Sequence, residues 1–124
     1  MLGEFTASAS RIILATGATD FRKQSESLST LVSAKLQLDP FEGESVFIFC
    51  NKRKNALKIL RYDSNGFVLA SKKLLDGMKF QWPSTPEDVK LITRQQLNWL
   101  LDGLEIEQRK AHREVRIESK NTCY

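Results

Sequence analysis

The chain has 124 residues, of which 41% are hydrophobic and 27% charged. That size and balance suit one domain with one core. No apolar run reaches the roughly 18–20 residues that span a bilayer, and the stretch through Ser10 lacks the basic and apolar regions of a cleaved leader. Two cysteines, Cys50 and Cys123, supply neither a disulfide framework nor a zinc finger. A reducing, cytoplasmic setting without membrane attachment is therefore expected. The formal charge is +4 overall, yet residues 50–79 hold eight basic residues against two acidic ones. That segment alone carries a net +6, a concentration that presents a positive face to a polyanion.

In chain order, residues 1–10 read as a flexible lead-in. Arg11–Ala15 is a short apolar run with the character of a buried strand. Thr16–Thr19 breaks it, and Thr19 or Asp20 then caps a helix. Phe21, Leu28, Leu31, Val32 and Leu36 form one apolar stripe on that helix, which ends before Asp39-Pro40. Val46–Cys50 is apolar on both faces, as in a central strand. Ala56–Tyr62 alternates, Asp63–Gly66 is a hairpin turn, and Phe67–Leu74 is the returning strand. Lys79–Trp82 reads as a short edge strand ended by Pro83. Thr93 and Gln96 match a capping box, opening a helix that closes near Gly103. Residues 105–124 form a polar, charged tail. The expected fold is α+β: one domain over 11–104, with a small, mostly antiparallel sheet of four to five strands and two principal helices.

Enzyme chemistry finds little support. His112 stands alone, without ligands at metal-binding spacing. Cys50 lies in an apolar run that raises a thiol's pKa and makes it inert. No phosphate-binding glycine loop is present. Asp20 and the Asp39–Glu44 loop are the carboxylates a metal-dependent nuclease would need, but they read more simply as a cap residue and a solvated loop. No catalytic residue, metal or cofactor is expected.

The basic turn Asn51–Asn55 is more informative. Lys52, Arg53 and Lys54 project together from a loop fixed at both ends by strands. Lys58 follows on the next strand, and Lys72 and Lys73 on the one after, pointing to opposite faces. Arg22 and Lys23 fall in the expected first helical turn, where cations are electrostatically unfavourable unless an anion sits nearby. These eight residues are the candidate nucleic-acid contacts. The competing explanation is a solubility surface with edge-protecting lysines.

Several stretches also follow one another in a familiar order. They are Gly17–Lys23, Leu38–Phe41, Val46–Lys54, Leu57-Lys58, Tyr62-Asp63, Gly66-Phe67, Lys73-Leu74, Gly77, Phe80, Trp82-Pro83, Thr93, Gln96-Leu97 and Leu100–Leu104. Over residues 11–104 this set resembles the TnpB-type accessory proteins, the second-reading-frame products of the sixty-six family of bacterial insertion sequences. Phe21, Cys50 and Tyr62 depart from that pattern, where methionine, arginine and tryptophan are usual. The resemblance implies a small protein, encoded beside a DDE-type transposase, that assists movement of the element and has no known catalytic activity. Together with the basic turn, it leads to the expectation of backbone binding to double-stranded DNA, with the transposase as a second partner. The alternative is an adaptor that meets the transposase or another element-encoded protein without touching DNA.

Overall fold

The computed structural model describes residues 1–108. Its centre is a five-stranded sheet in the order β4-β3-β2-β1-β5. The strands are β1 (Arg11–Ala15), β2 (Ser45–Cys50), β3 (Ala56–Asp63), β4 (Gly66–Lys73) and β5 (Val89–Ile92). β1 and β2 run parallel, and every other neighbouring pair is antiparallel. Three helices accompany the sheet: α1 (Leu2–Thr6), α2 (Ser25–Ala34) and α3 (Arg94–Leu101). The fold is α+β, as expected.

Every residue of β2 is buried because both faces of the sheet are covered. On one face, Ile13, Phe47, Phe49 and Leu60 pack against Leu28 and Val32 of α2. On the other, Leu14, Val46, Ile48, Leu57 and Ile59 pack against Leu97 and Leu100 of α3 and against Phe80 and Trp82. The capping box of α3 is present: Gln96 N–H donates to Thr93 Oγ1 at 3.1 Å, and Thr93 N–H donates to Gln96 Oε1 at 2.9 Å. At its far end, Leu104 N–H donates to the Trp99 carbonyl and Gly103 N–H to the Leu100 carbonyl. Gly103 has φ +84°, the left-handed turn that closes such a terminus.

Three expectations need correction. Residues 2–6 form α1, and Leu2 and Phe5 pack on the α3-side core. Arg94 holds the end of α1 by donating to the side chain and carbonyl of Thr6. The helix expected from residue 20 begins only at Ser25. Residues before it form a loop in which Asp20 Oδ1 accepts from Arg22 N–H at 3.0 Å, and the carbonyls of Phe21 and Lys23 accept from Lys58 Nζ. Carbonyls turned toward that ammonium do not start the helical ladder. Lys79–Trp82 is not a strand either. Phe80 and Trp82 are both core residues of one cluster, and the fifth strand is β5. The tail expected over 105–124, with His112 and Cys123, lies outside the described residues from 109 onward.

Candidate nucleic-acid interface

β1 and β2 run parallel, so the loops that follow them emerge at the same end of the sheet. The start of β3 and the end of β4 lie there as well, since Ala56 pairs with Lys73 and Leu57 with Lys72. The basic turn between β2 and β3 forms the centre of this end.

Short hydrogen bonds hold the turn from inside. Asn51 Oδ1 accepts from the N–H groups of Asn55 and Ala56, both at 3.1 Å. Asn51 Nδ2 donates to Asn55 Oδ1 at 2.6 Å. Lys54 N–H donates to the Asn51 carbonyl at 3.1 Å, which places Lys54 at φ +61°. A non-glycine residue in that region costs about 1–2 kcal/mol.

Three neighbouring segments are tied to the same frame. Thr19 N–H donates to the Cys50 carbonyl at 2.8 Å, Leu74 N–H to Asn55 at 2.7 Å and Phe80 N–H to Lys54 at 2.7 Å. Gly17 N–H reaches the Pro83 carbonyl at 3.0 Å, and Trp82 Nε1–H caps the end of β1 at Ala15 O at 3.0 Å. The turn is therefore part of a bonded web across the whole end of the sheet, its backbone fixed, its two asparagine side chains engaged and its three cationic side chains exposed.

Lys52, Arg53 and Lys54 are exposed on this frame, as are Lys72 and Lys73 at the end of β4. Lys73 lies on the α2 side of the sheet and Lys72 on the other, beside the groove lined by α1. Sequence reasoning left Lys79 out of the candidate set. Its backbone precedes the Phe80–Lys54 hydrogen bond, so it joins the same end. The signal was the charge count over 50–79, but only the long-range bond assigns Lys79 a position. Among the described residues, the ion pairs are Arg11–Glu42, Arg22–Asp20 and Lys90–Glu107. None involves Lys52, Arg53, Lys54, Lys72, Lys73 or Lys79.

The other three candidates behave differently. Lys58 is only 8% exposed. Its Nζ donates to the carbonyls of Phe21 and Lys23, each at 2.9 Å, and sits 4.9 Å from the Phe21 ring centre. It is a structural lysine that clamps the loop before α2, and it leaves the candidate set. Arg22 faces the basic turn across a cleft shared with Lys52 and Arg53. Its guanidinium forms a two-pronged pair with Asp20, with contacts of 2.8 and 3.1 Å. That pair holds the Asp20 carboxyl down at about 2, below its ordinary 3.8, and raises the pKa of Arg22. Asp20 thus cancels the charge of Arg22. Lys23 lines a separate cleft beside α2 with Asp20 and Lys35. Neither Arg22 nor Lys23 lies in the first turn of a helix, so the expected helix-dipole conflict does not arise.

Of the carboxylates considered for metal binding, three have other partners. Asp20 is committed to Arg22, Glu42 to Arg11 and Glu44 to Ser10. Among the described residues, no group of three or more His, Cys, Asp or Glu side chains gathers to hold a metal ion. Burial pushes the Cys50 thiol up to about 11.

Residues 10–111 match the protein family described as IS66 Orf2 like protein. The chain belongs to the IS66 Orf2-like family. Two proteins of Sinorhizobium fredii, strain NGR234, are similar to this IS66 Orf2-like chain. Uncharacterized protein y4hO is 36% identical over 95 residues, 77% of this chain and 81% of that protein. Uncharacterized protein y4jC is 33% identical over 95 residues, 77% of this chain and 80% of that protein. No solved structure matches. An IS66 Orf2-like protein is an accessory protein of an insertion sequence, from a family not known as enzymes. No helix among the described residues is long and apolar enough to cross a membrane. The stretches that carry the family likeness include Gly17–Lys23, Val46–Lys54, Lys73-Leu74, Gly77, Phe80 and Trp82-Pro83. These six lie at the basic end of the sheet, while others, such as Tyr62-Asp63, Gly66-Phe67 and the α3 stretch from Thr93, lie away from it.

Proposed function

We propose that this accessory protein binds the backbone of double-stranded DNA through the basic end of its sheet and helps the transposase assemble on the element's ends. One observation carries the reading. Lys52, Arg53 and Lys54 stand on a hydrogen-bonded turn, Lys72, Lys73 and Lys79 flank it, and none of the six forms an ion pair with a carboxylate among the described residues. A solubility surface needs no fixed backbone beneath it. Here hydrogen bonds pin the backbone at Cys50, Asn51, Lys54 and Asn55.

The physical mechanism is phosphate neutralisation with release of counterions. Lysines on a turn contact phosphate oxygens more readily than they present a planar fork to guanine, so the binding carries little base readout. Competition in a gel-shift assay tests this. Labelled element-end DNA bound by the protein is displaced nearly as well by unrelated duplex of equal length. Absence of any shifted complex at low salt would refute the reading. The adaptor alternative makes the opposite prediction for the transposase: co-purification that survives nuclease treatment. Under the DNA reading, the transposase is lost with the nucleic acid.

A further inference from the structure

The segment from Leu74 to Phe80 hangs from the basic turn by both ends. Leu74 N–H donates to Asn55 O and Phe80 N–H to Lys54 O, each at 2.7 Å. Between these anchors Met78 N–H donates to Leu75 O at 3.2 Å, closing a four-residue turn. Gly77, its third residue, has φ +84°, the position at which a type II turn needs a left-handed residue. A Cβ added there would meet nothing within 4 Å, so the turn stands out in open solvent.

Its first and last residues are apolar. Leu75 is 77% exposed and Met78 is 53% exposed, and such a turn brings their Cα atoms within about 7 Å of each other. Single apolar residues on a surface need no explanation. This pair is different because it is held together at a tip, between Lys73 and Lys79, on a loop bolted to Lys54 and Asn55. Gly77 is three positions along the chain from each anchor, so the tip stands at most about 10 Å from the basic turn. One duplex can meet both.

We infer that the Leu75–Met78 turn is a wedge. With the basic turn on phosphates, Leu75 and Met78 enter the minor groove between adjacent base pairs, unstack that step and bend the duplex. Apolar side chains flanked by cations are the chemistry by which minor-groove proteins distort DNA. The inference rests on the DNA reading above and gives that site a consequence: the element's end is bent as well as held. The surrounding charge selects a polyanion over an apolar protein surface, since Lys52, Arg53, Lys54, Lys73 and Lys79 are all without carboxylate partners among the described residues. Asp76, the second residue of the turn, places an opposing charge at the tip itself, and Asp76→Asn tightens binding.

The test uses a short duplex with a donor and an acceptor dye at its ends and 2-aminopurine at a central TA step, which unstacks easily. Wild-type protein raises both energy transfer and 2-aminopurine fluorescence. The double variant Leu75→Ser/Met78→Ser, altered only at exposed positions, keeps its melting temperature and the salt dependence of binding. It binds about tenfold more weakly, having lost apolar burial, and gives neither signal. Bending by the variant equal to that of wild type would overturn the wedge, as would wild-type binding without either signal. A variant that bends DNA normally but no longer retains the transposase would also overturn it, by making the tip a protein contact. Failure of wild type to bind the duplex at all would instead remove the DNA reading itself.

Discussion

Replacing Lys58 by methionine keeps most of the aliphatic stem and removes the ammonium that clamps the loop before α2. The side chain is 8% exposed, and its two hydrogen bonds, each 2.9 Å, go to the carbonyls of Phe21 and Lys23. A hydrogen bond to a charged group is worth about 1.5–3 kcal/mol net. Contact with the Phe21 ring adds about 0.5–1 kcal/mol. Against this, methionine avoids the cost of desolvating an ammonium, and water can reach carbonyls in a surface loop. The balance is a loss of about 2–3 kcal/mol for Lys58→Met. For a chain of this length, that lowers the melting temperature by roughly 10 °C. Lys58→Ala also removes the stem packed in the core and costs about 1 kcal/mol more. Thermal denaturation followed by circular dichroism measures both. In the same variants the salt dependence of DNA binding stays at the wild-type slope, because Lys58 touches no phosphate. An unchanged melting temperature with a flattened salt slope would refute the structural role and return Lys58 to the interface.

Other outcomes follow from the same geometry. Asp20→Asn keeps the acceptor for Arg22 N–H but frees the guanidinium, so the log–log salt slope steepens by about 0.9 if Arg22 then reaches a phosphate; an unaltered slope would place Arg22 out of reach. The pair's own contribution to stability is full above the ordinary 3.8 of an aspartate and is lost as pH falls through about 2. A titration of the Asp20 carboxyl by NMR should therefore show its midpoint near 2, and one near 3.8 would deny the ion pair. Lys54→Gly relieves the left-handed strain and stabilises the fold by about 1 kcal/mol, while flattening the salt slope by about 0.9 through loss of one phosphate contact. Stability and affinity moving in the same direction would contradict the account of that turn. In a Cys123→Ser background, the Cys50 thiol, held near 11 by burial, is inert to a thiol reagent at pH 8 and reacts only after denaturation.

The basic turn was legible in sequence because two strongly apolar runs bracket it, and such brackets leave the intervening residues nowhere to go but out. The central strand β2 and the capping box of α3 were legible for similar reasons, through continuous apolarity in one case and reciprocal side-chain chemistry in the other. Lys58 was misplaced because alternation separates the two faces of a strand without saying what covers each. Both faces of β3 are covered, so a lysine among buried neighbours had to find acceptors, and it found them in a loop some 35 residues earlier in the chain. The late start of α2 has the same cause, because Asp20 reads locally as a cap while its carboxylate is taken by Arg22. β5 was missed because Val89–Ile92 is four residues long and Leu91 is 64% exposed. Phe80 and Trp82 gave the stronger strand pattern, although they serve as plugs in the core. Residue-level charge marked out a basic region, but only long-range backbone hydrogen bonds show that Lys79 belongs to it.

The central claim is that one end of the sheet binds DNA by neutralising phosphates, and a salt titration tests it most directly. Binding to a mixed-sequence duplex is followed across a range of salt concentrations for wild type and for Lys52→Ala/Arg53→Ala/Lys54→Ala. With about three to five phosphates contacted, the wild-type log–log slope lies near −3 to −4.5, and the triple variant loses up to about 2.7 of that slope together with most of its affinity. Equal affinity and equal slope for the two proteins would contradict the claim.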